Sequence, residues 1–160
     1  MKRITYSLWF GSLFLLSCQE KKQVFVNFSN PELNYSGRVN FDNKEGAEFY
    51  WTGSSIKMNF EGEKVSAILK DESGDNYYNV IVDDKLKAII QPDTIRKSYT
   101  LVSNLSKGKH TIELFRRNDW NRGKTQFFGF KINNHAKLLP MADSTGRKIE
   151  FYGDSISVGY

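Results

Sequence analysis

Polar and apolar residues alternate with a period of two through most of the chain, the mark of half-buried β-strands. Ile56, Met58 and Phe60 alternate with Lys57, Asn59 and Glu61. Val65, Ala67 and Leu69 repeat the pattern against Lys64, Ser66 and Lys70, with Ile68 as an apolar exception. Gly62-Glu63 marks the turn between these two runs. Tyr77 to Val82 and Leu86 to Ile90 flank the polar stretch Asp83-Asp84-Lys85, which predicts a hairpin. Another strand is predicted around Tyr99 and Leu101, closed by the turn residues Asn104 to Gly108. In the next, His110, Ile112 and Leu114 alternate with Thr111, Glu113 and Phe115. The last of the series is Thr125 to Ile132, with Phe128, Phe130 and Ile132 assigned to one face. Upstream, strands are predicted at Val24 to Phe28, Arg38 to Phe41 and Ala47 to Trp51. About nine short strands, with turns about every 8–12 residues, predict an all-β fold, an antiparallel β-sandwich or jelly roll. No run between residues 23 and 135 predicts a helix of ten residues, and no internal repeat is visible.

The two ends break this pattern. Lys2 and Arg3 precede a largely apolar run from Tyr6 to Leu16. That run is too short to span a bilayer, which takes about 20 apolar residues, and it reads as the core of a secretory signal. It closes on Leu15-Leu16-Ser17-Cys18, which resembles the lipobox of bacterial lipoproteins. The resemblance implies a signal peptide over residues 1–17, a lipid on Cys18 and a protein anchored to membrane in the bacterial cell envelope. The alternative is a plain signal peptide with an incidental cysteine. Residues 18–34 then form an N-terminal linker with the first strand. The Asn-x-Ser sequons at Asn27, Asn34 and Asn104 matter only in a eukaryotic secretory route, against which the lipobox argues.

Composition narrows the chemistry. The net charge of +5 falls to +3 without residues 1–17, and the basic residues are scattered among acidic ones. A nucleic-acid surface normally shows as a clustered basic stripe, so no nucleic-acid partner is expected. One cysteine excludes an intramolecular disulfide framework and a Cys-rich zinc site. Asp71-Glu72 and Asp83-Asp84 supply too few ligands for calcium and read as turn residues; no metal or cofactor is expected.

After Leu138-Leu139-Pro140 the character changes. Met141 to Arg147 is a polar connector, and Lys148 to Tyr152 reads as a strand that runs into Gly153-Asp154-Ser155. Gly153 permits a sharp turn and Asp154 can hold the loop by local hydrogen bonds. Ser155 then stands at the carboxyl end of a strand, where ligands bind in open α/β sheets.

The string Ile149 to Tyr160 resembles the first signature block of the SGNH (GDS-type) esterases. Tyr35-Ser36-Gly37-Arg38, Phe49 to Phe60 with Trp51-Thr52-Gly53-Ser54, Tyr77 to Asp84, Phe115-Arg116-Arg117 and Phe127-Phe128-Gly129-Phe130 resemble the N-terminal jelly roll of carbohydrate esterase family two. The resemblance implies a jelly roll over residues 35–140. Residues 141–160 would be a connector and the first strand of a truncated α/β SGNH hydrolase domain. It further implies a metal-free serine esterase that removes acetyl groups from acetylated plant polysaccharide, chiefly xylan. Ser155 would be the nucleophile and its N–H one oxyanion donor, with Asp154 orienting the loop and Gly153 making the turn. The family's catalytic histidine and remaining oxyanion donors come from later blocks that have no counterpart here, so the chain is expected to be inactive alone.

His110, in a strand pattern, reads as a packed or hydrogen-bonded residue, and His135 as part of a polar connector. Arg116, Arg117, Trp120, Arg122 and Lys124 read as a solvated hairpin tip on which Trp120 is a candidate sugar contact. Arg38 is a second candidate contact. Phe49, Tyr50 and Trp51 are expected to pack in the core. The alternative to an esterase part is a lipid-anchored carbohydrate-binding sandwich.

Overall fold

A computed structural model describes residues 23–141 and Gly153. Within them the chain forms twelve strands: β1 (Gln23–Asn27), β2 (Leu33–Ser36), β3 (Val39–Asn40), β4 (Ala47–Phe49), β5 (Ser55–Glu61), β6 (Val65–Asp71), β7 (Tyr78–Val82), β8 (Lys85–Ile90), β9 (Lys97–Val102), β10 (Lys109–Arg116), β11 (Thr125–Asn133) and β12 (Lys137–Leu139). The only helical piece among the described residues is a 3-10 turn, Trp120–Arg122. The strands make two sheets, both antiparallel. The front sheet runs β3-β4-β11-β6-β9, with β1 lying end to end with β4 along the same edge of β11. The back sheet runs β12-β5-β10-β7-β8, with β2 and β12 sharing one edge of β5. The predicted all-β sandwich is the observed fold. The strand expected over residues 148–152 lies outside the described residues, as do Cys18, Asp154 and Ser155.

Alternation places the core. Ile56, Met58 and Phe60 of β5 face Phe127, Phe130 and Ile132 of β11 across the sandwich, with Val80, Ile112 and Leu114 beside them, all essentially sealed from solvent. The predicted hairpin is present between β7 and β8. Its two loop residues, Asp83 and Asp84, have φ of +49° and +60°, as a two-residue type I′ turn requires.

Two assignments differ from the sequence pattern. Phe128 does not share a face with Phe130 and Ile132, because the β11–β6 register shifts between Phe127 and Gly129. The extra residue of the bulge turns Phe128 to the outer side, where the Arg96 guanidinium lies 3.8 Å from its ring centre. Gly129 permits this at φ +150°, where a Cβ would fall 2.3 Å from the Val26 carbonyl oxygen of β1. Trp51 is also outside the core, 43% exposed, although Phe49 is buried as expected. Strand β4 ends at Phe49, so the inward alternation stops there. The turn through Gly53, at φ +79°, then carries Trp51 to the surface.

Candidate functional site

Three loops meet at one end of the sandwich: residues 50–54, 72–77 and 117–124. Their organiser is Arg116, the last residue of β10. It follows Ile112 and Leu114 in the inward alternation and is fully buried, not part of a solvated tip. Its guanidinium donates from Nη1 to the Phe49 carbonyl (2.7 Å), from Nη2 to Gly123 (2.8 Å) and Asp119 (3.2 Å), and from Nε to Asn118 (3.4 Å). A charge taken out of water needs such partners, and the planar fork of arginine reaches several carbonyls at once.

Asp71 supports the same end from β6. Its carboxylate accepts the N–H groups of Ser73 (3.2 Å) and Gly74 (2.7 Å), the Asn76 amide (2.9 Å) and the Thr125 hydroxyl. With all these donors engaged, Asp71 is a brace for the turn. Among the described residues no cluster of three or more His, Cys, Asp or Glu side chains can hold a metal. Nearby, burial pushes the Tyr78 phenol up to about 12, against the opposing pull of Arg116. It therefore stays neutral.

The three loops are tied side by side. The Thr52 hydroxyl donates to the Asn118 carbonyl at 2.7 Å, and the Asn118 side chain accepts the Tyr77 N–H. On this frame Trp51 and Tyr77 are exposed (43% and 39%), and Trp120 opens the 3-10 turn. The exposed Arg38 joins from the β2–β3 connection, its guanidinium 5.2 Å from the Trp51 ring centre. That is a cation–π arrangement worth about 0.5–1 kcal/mol at a surface. The structure thus brings Arg38, a candidate from the sequence, to Trp51, which the sequence pattern assigns to the core. Amphipathic aromatic rings at a loop end suit the flat, partly apolar face of a sugar.

The opposite end holds His110. Its Nδ1 donates to the Asp83 carboxylate at 2.8 Å and its Nε2 to the Ser106 carbonyl at 2.9 Å. Both partners only accept, so both ring nitrogens carry protons. The Asp83 hydrogen bond and the Ser106 carbonyl raise the His110 pKa above its usual 6.5, against a smaller effect of burial. Asp83 is held below its usual 3.8, since the Thr111 N–H and His110 outweigh burial. His110 is the hydrogen-bonded strand residue expected, and neither nitrogen is free to accept a proton from a serine. The other histidine, His135, is exposed in the β11–β12 turn.

A pH dependence follows with a definite sign. The raised His110 pKa gives stability that is complete below pH 6.5 and lost as pH rises through the folded-state pKa. The lowered Asp83 pKa gives stability present above 3.8 and lost as pH falls through its folded value. Thermal unfolding is therefore expected to show the advantage over His110→Gln shrinking as pH rises above 6.5. An advantage that stays constant over that range contradicts the doubly protonated ring.

Gly153 is exposed and outside regular structure. It is the one described member of the Gly153-Asp154-Ser155 block.

Comparison with known proteins accounts for the sandwich. The chain is 35% identical over 131 residues to the cellulase/esterase CelE of Acetivibrio thermocellus, covering 82% of this chain and 16% of that protein. It is 23% identical over 154 residues to an acetylxylan esterase / glucomannan deacetylase of Cellvibrio japonicus, covering 93% of this chain and 43% of that protein. A solved family two carbohydrate esterase from Clostridium thermocellum, in complex with cellohexaose, superposes with a TM-score of 0.71 at 34% identity, over 80% of this chain and 39% of that one. The chain thus spans less than half the length of these relatives. The family described as Carbohydrate esterase 2 N-terminal matches residues 35–141, more than half of the sequence, and the chain belongs to it.

Proposed function

We propose that this chain is the N-terminal part of an exported serine carbohydrate esterase that removes acetyl groups from plant polysaccharide of the xylan type. The observation that carries this reading is the family match over residues 35–141, followed after a short polar connector by a strand pattern ending in Gly153-Asp154-Ser155. Ser155 is the nucleophile. Its hydroxyl attacks the acetyl carbonyl, the ester bond to the sugar breaks, and the alcohol leaves with the proton taken from Ser155. Water then releases acetate from the acyl-serine. The Ser155 N–H is one donor to the oxyanion, a contribution of about 2.7–4 kcal/mol for such donors. Gly153 makes the turn and Asp154 fixes the loop.

A serine hydroxyl needs an adjacent base. His110 has both nitrogens hydrogen-bonded, and the family's catalytic histidine comes from a later block, so the base is assigned to further residues of a longer polypeptide. Cys18 carries a lipid that holds the protein to the membrane of the bacterial envelope. Arg38, Trp51 and Trp120 are assigned as the substrate contacts of the sandwich. Acetate release from acetylated xylan by the longer polypeptide is the test. Acetate release from acetylated xylan is expected, and no acetate from any acetylated polysaccharide overturns the reading.

A second reading, a lipid-anchored carbohydrate-binding sandwich, is favoured by the exposed Trp51 and its Arg38 partner.

A further inference from the structure

The outer face of the front sheet carries a polar row that neither the core nor the loop end uses. Asn40, Glu48, Gln126 and Lys70 stand directly opposite one another on β3, β4, β11 and β6. Their neighbours Ala47, Phe49, Phe127 and Leu69 fill the core, so alternation turns the row outward. Three strand spacings make it about 14 Å long. Above it lies a cleft of about 350 Å³, bordered by Glu48, Lys70, Glu72, Thr94, Lys124 and Gln126. Small-molecule pockets start at about 300 Å³.

The floor of this cleft is fixed. Glu48 is only 4% exposed, and its carboxylate accepts Asn43 (3.0 Å), Tyr50 (3.0 Å), Asn40 (3.4 Å) and the Lys124 ammonium (3.0 Å). Burial raises its pKa, but these donors outweigh that and hold it below the usual carboxylate value. The rim is not used up. Gln126 Nε2 is buried without a hydrogen-bond partner, a situation proteins normally avoid. Lys70 is exposed and takes part in none of the ion pairs among the described residues. Glu72 accepts the Lys124 N–H with one oxygen, at 2.9 Å, leaving the other open.

We propose that this cleft binds a segment of a neutral oligosaccharide. A sugar hydroxyl both donates and accepts, and the cleft offers donors (Lys70, Gln126) beside acceptors (Glu72, Gln126 Oε1). The charges do not favour an anion, since Glu48, Asp71 and Glu72 set three carboxylates against the two ammonium groups of Lys70 and Lys124. The cleft shares Glu72 and Lys124 with the loop end but does not include Trp51, and the proposal holds whether or not the chain is part of an esterase, because binding is read without turnover.

The test titrates the full chain with xylohexaose, cellohexaose and mannohexaose, followed by calorimetry and amide NMR. At least one oligomer is expected to shift the amides of Lys70, Thr94, Lys124 and Gln126. Lys70→Ala with Gln126→Ala is expected to weaken association about tenfold or more while amides elsewhere keep their positions. The proposal is overturned if none of the three oligomers moves those amides, or if the double variant binds as the parent does. Tighter binding of a glucuronic-acid-substituted xylo-oligomer than of its neutral counterpart overturns the neutral assignment.

Discussion

Replacing Ser155 by alanine is expected to lower kcat for deacetylation by the longer polypeptide by about 10⁶-fold, with little change in KM. That is the size of loss seen when a serine nucleophile that acts with a base is removed. The reason is chemical. In the proposed mechanism alanine keeps the residue-155 backbone N–H as oxyanion donor and leaves the contacts to the polysaccharide in place. It removes the oxygen that becomes acylated, so the two-step path through an acyl-serine closes. The residual rate then reflects positioning and oxyanion stabilisation alone. Acetate release under saturating acetylated xylan, compared at equal concentrations of folded protein, measures this. A variant that retains a tenth of the parent rate places the nucleophile elsewhere.

The second large effect concerns stability. Arg116→Met is expected to destabilise the sandwich by about 4 kcal/mol or more. The methionine fills part of the volume, but the carbonyls of Phe49, Asp119 and Gly123 lose the charged donor that they share. The Asp119 carbonyl keeps the Arg122 N–H, but each buried acceptor that does lose its partner costs about 1–3 kcal/mol. A domain of this size is stable by only about 5–15 kcal/mol, so the variant sits near the limit of folding. Arg116→Lys is expected to recover little, because one ammonium cannot replace a fork that reaches carbonyls on two different segments at once. Urea unfolding decides the matter: the midpoint should fall sharply at unchanged slope. A loss under about 1 kcal/mol for Arg116→Met contradicts the role given to its guanidinium.

Arg116 also shows where the sequence was readable and where it was not. The period of two that marks Ile112 and Leu114 continues to Arg116, and the structure follows the period, not the charge. Reading the residue as solvated gave its charge too much weight. The carbonyls that make burial tolerable come from Phe49 and from the loop beyond Asn118, and nothing local announces them. Glu48 is a similar case. Alternation turns it outward between Ala47 and Phe49, yet Asn43, Tyr50 and Lys124 cover it. Lys124 lies 76 positions away in the chain.

Backbone events account for the other departures. Phe128 and Trp51 both follow a correct strand pattern one step too far. At Phe128 a bulge inserts a residue, and at Trp51 the strand has already ended. Hydrophobic periodicity carries no record of either event, although Gly129 and Gly53 stand beside the two sites. The hairpin at Asp83-Asp84 was legible because two polar residues between two apolar runs leave the chain few alternatives. The same Asp83 then binds His110 across to β10, a pairing that depends on register and not on local sequence.

The proposal that the base for Ser155 lies outside these residues is tested most directly by hydrolysis of p-nitrophenyl acetate by the purified 160-residue chain. The rate is expected to equal that of the Ser155→Ala chain and of buffer. Faster turnover that disappears in Ser155→Ala would show that a base for the serine lies within these residues.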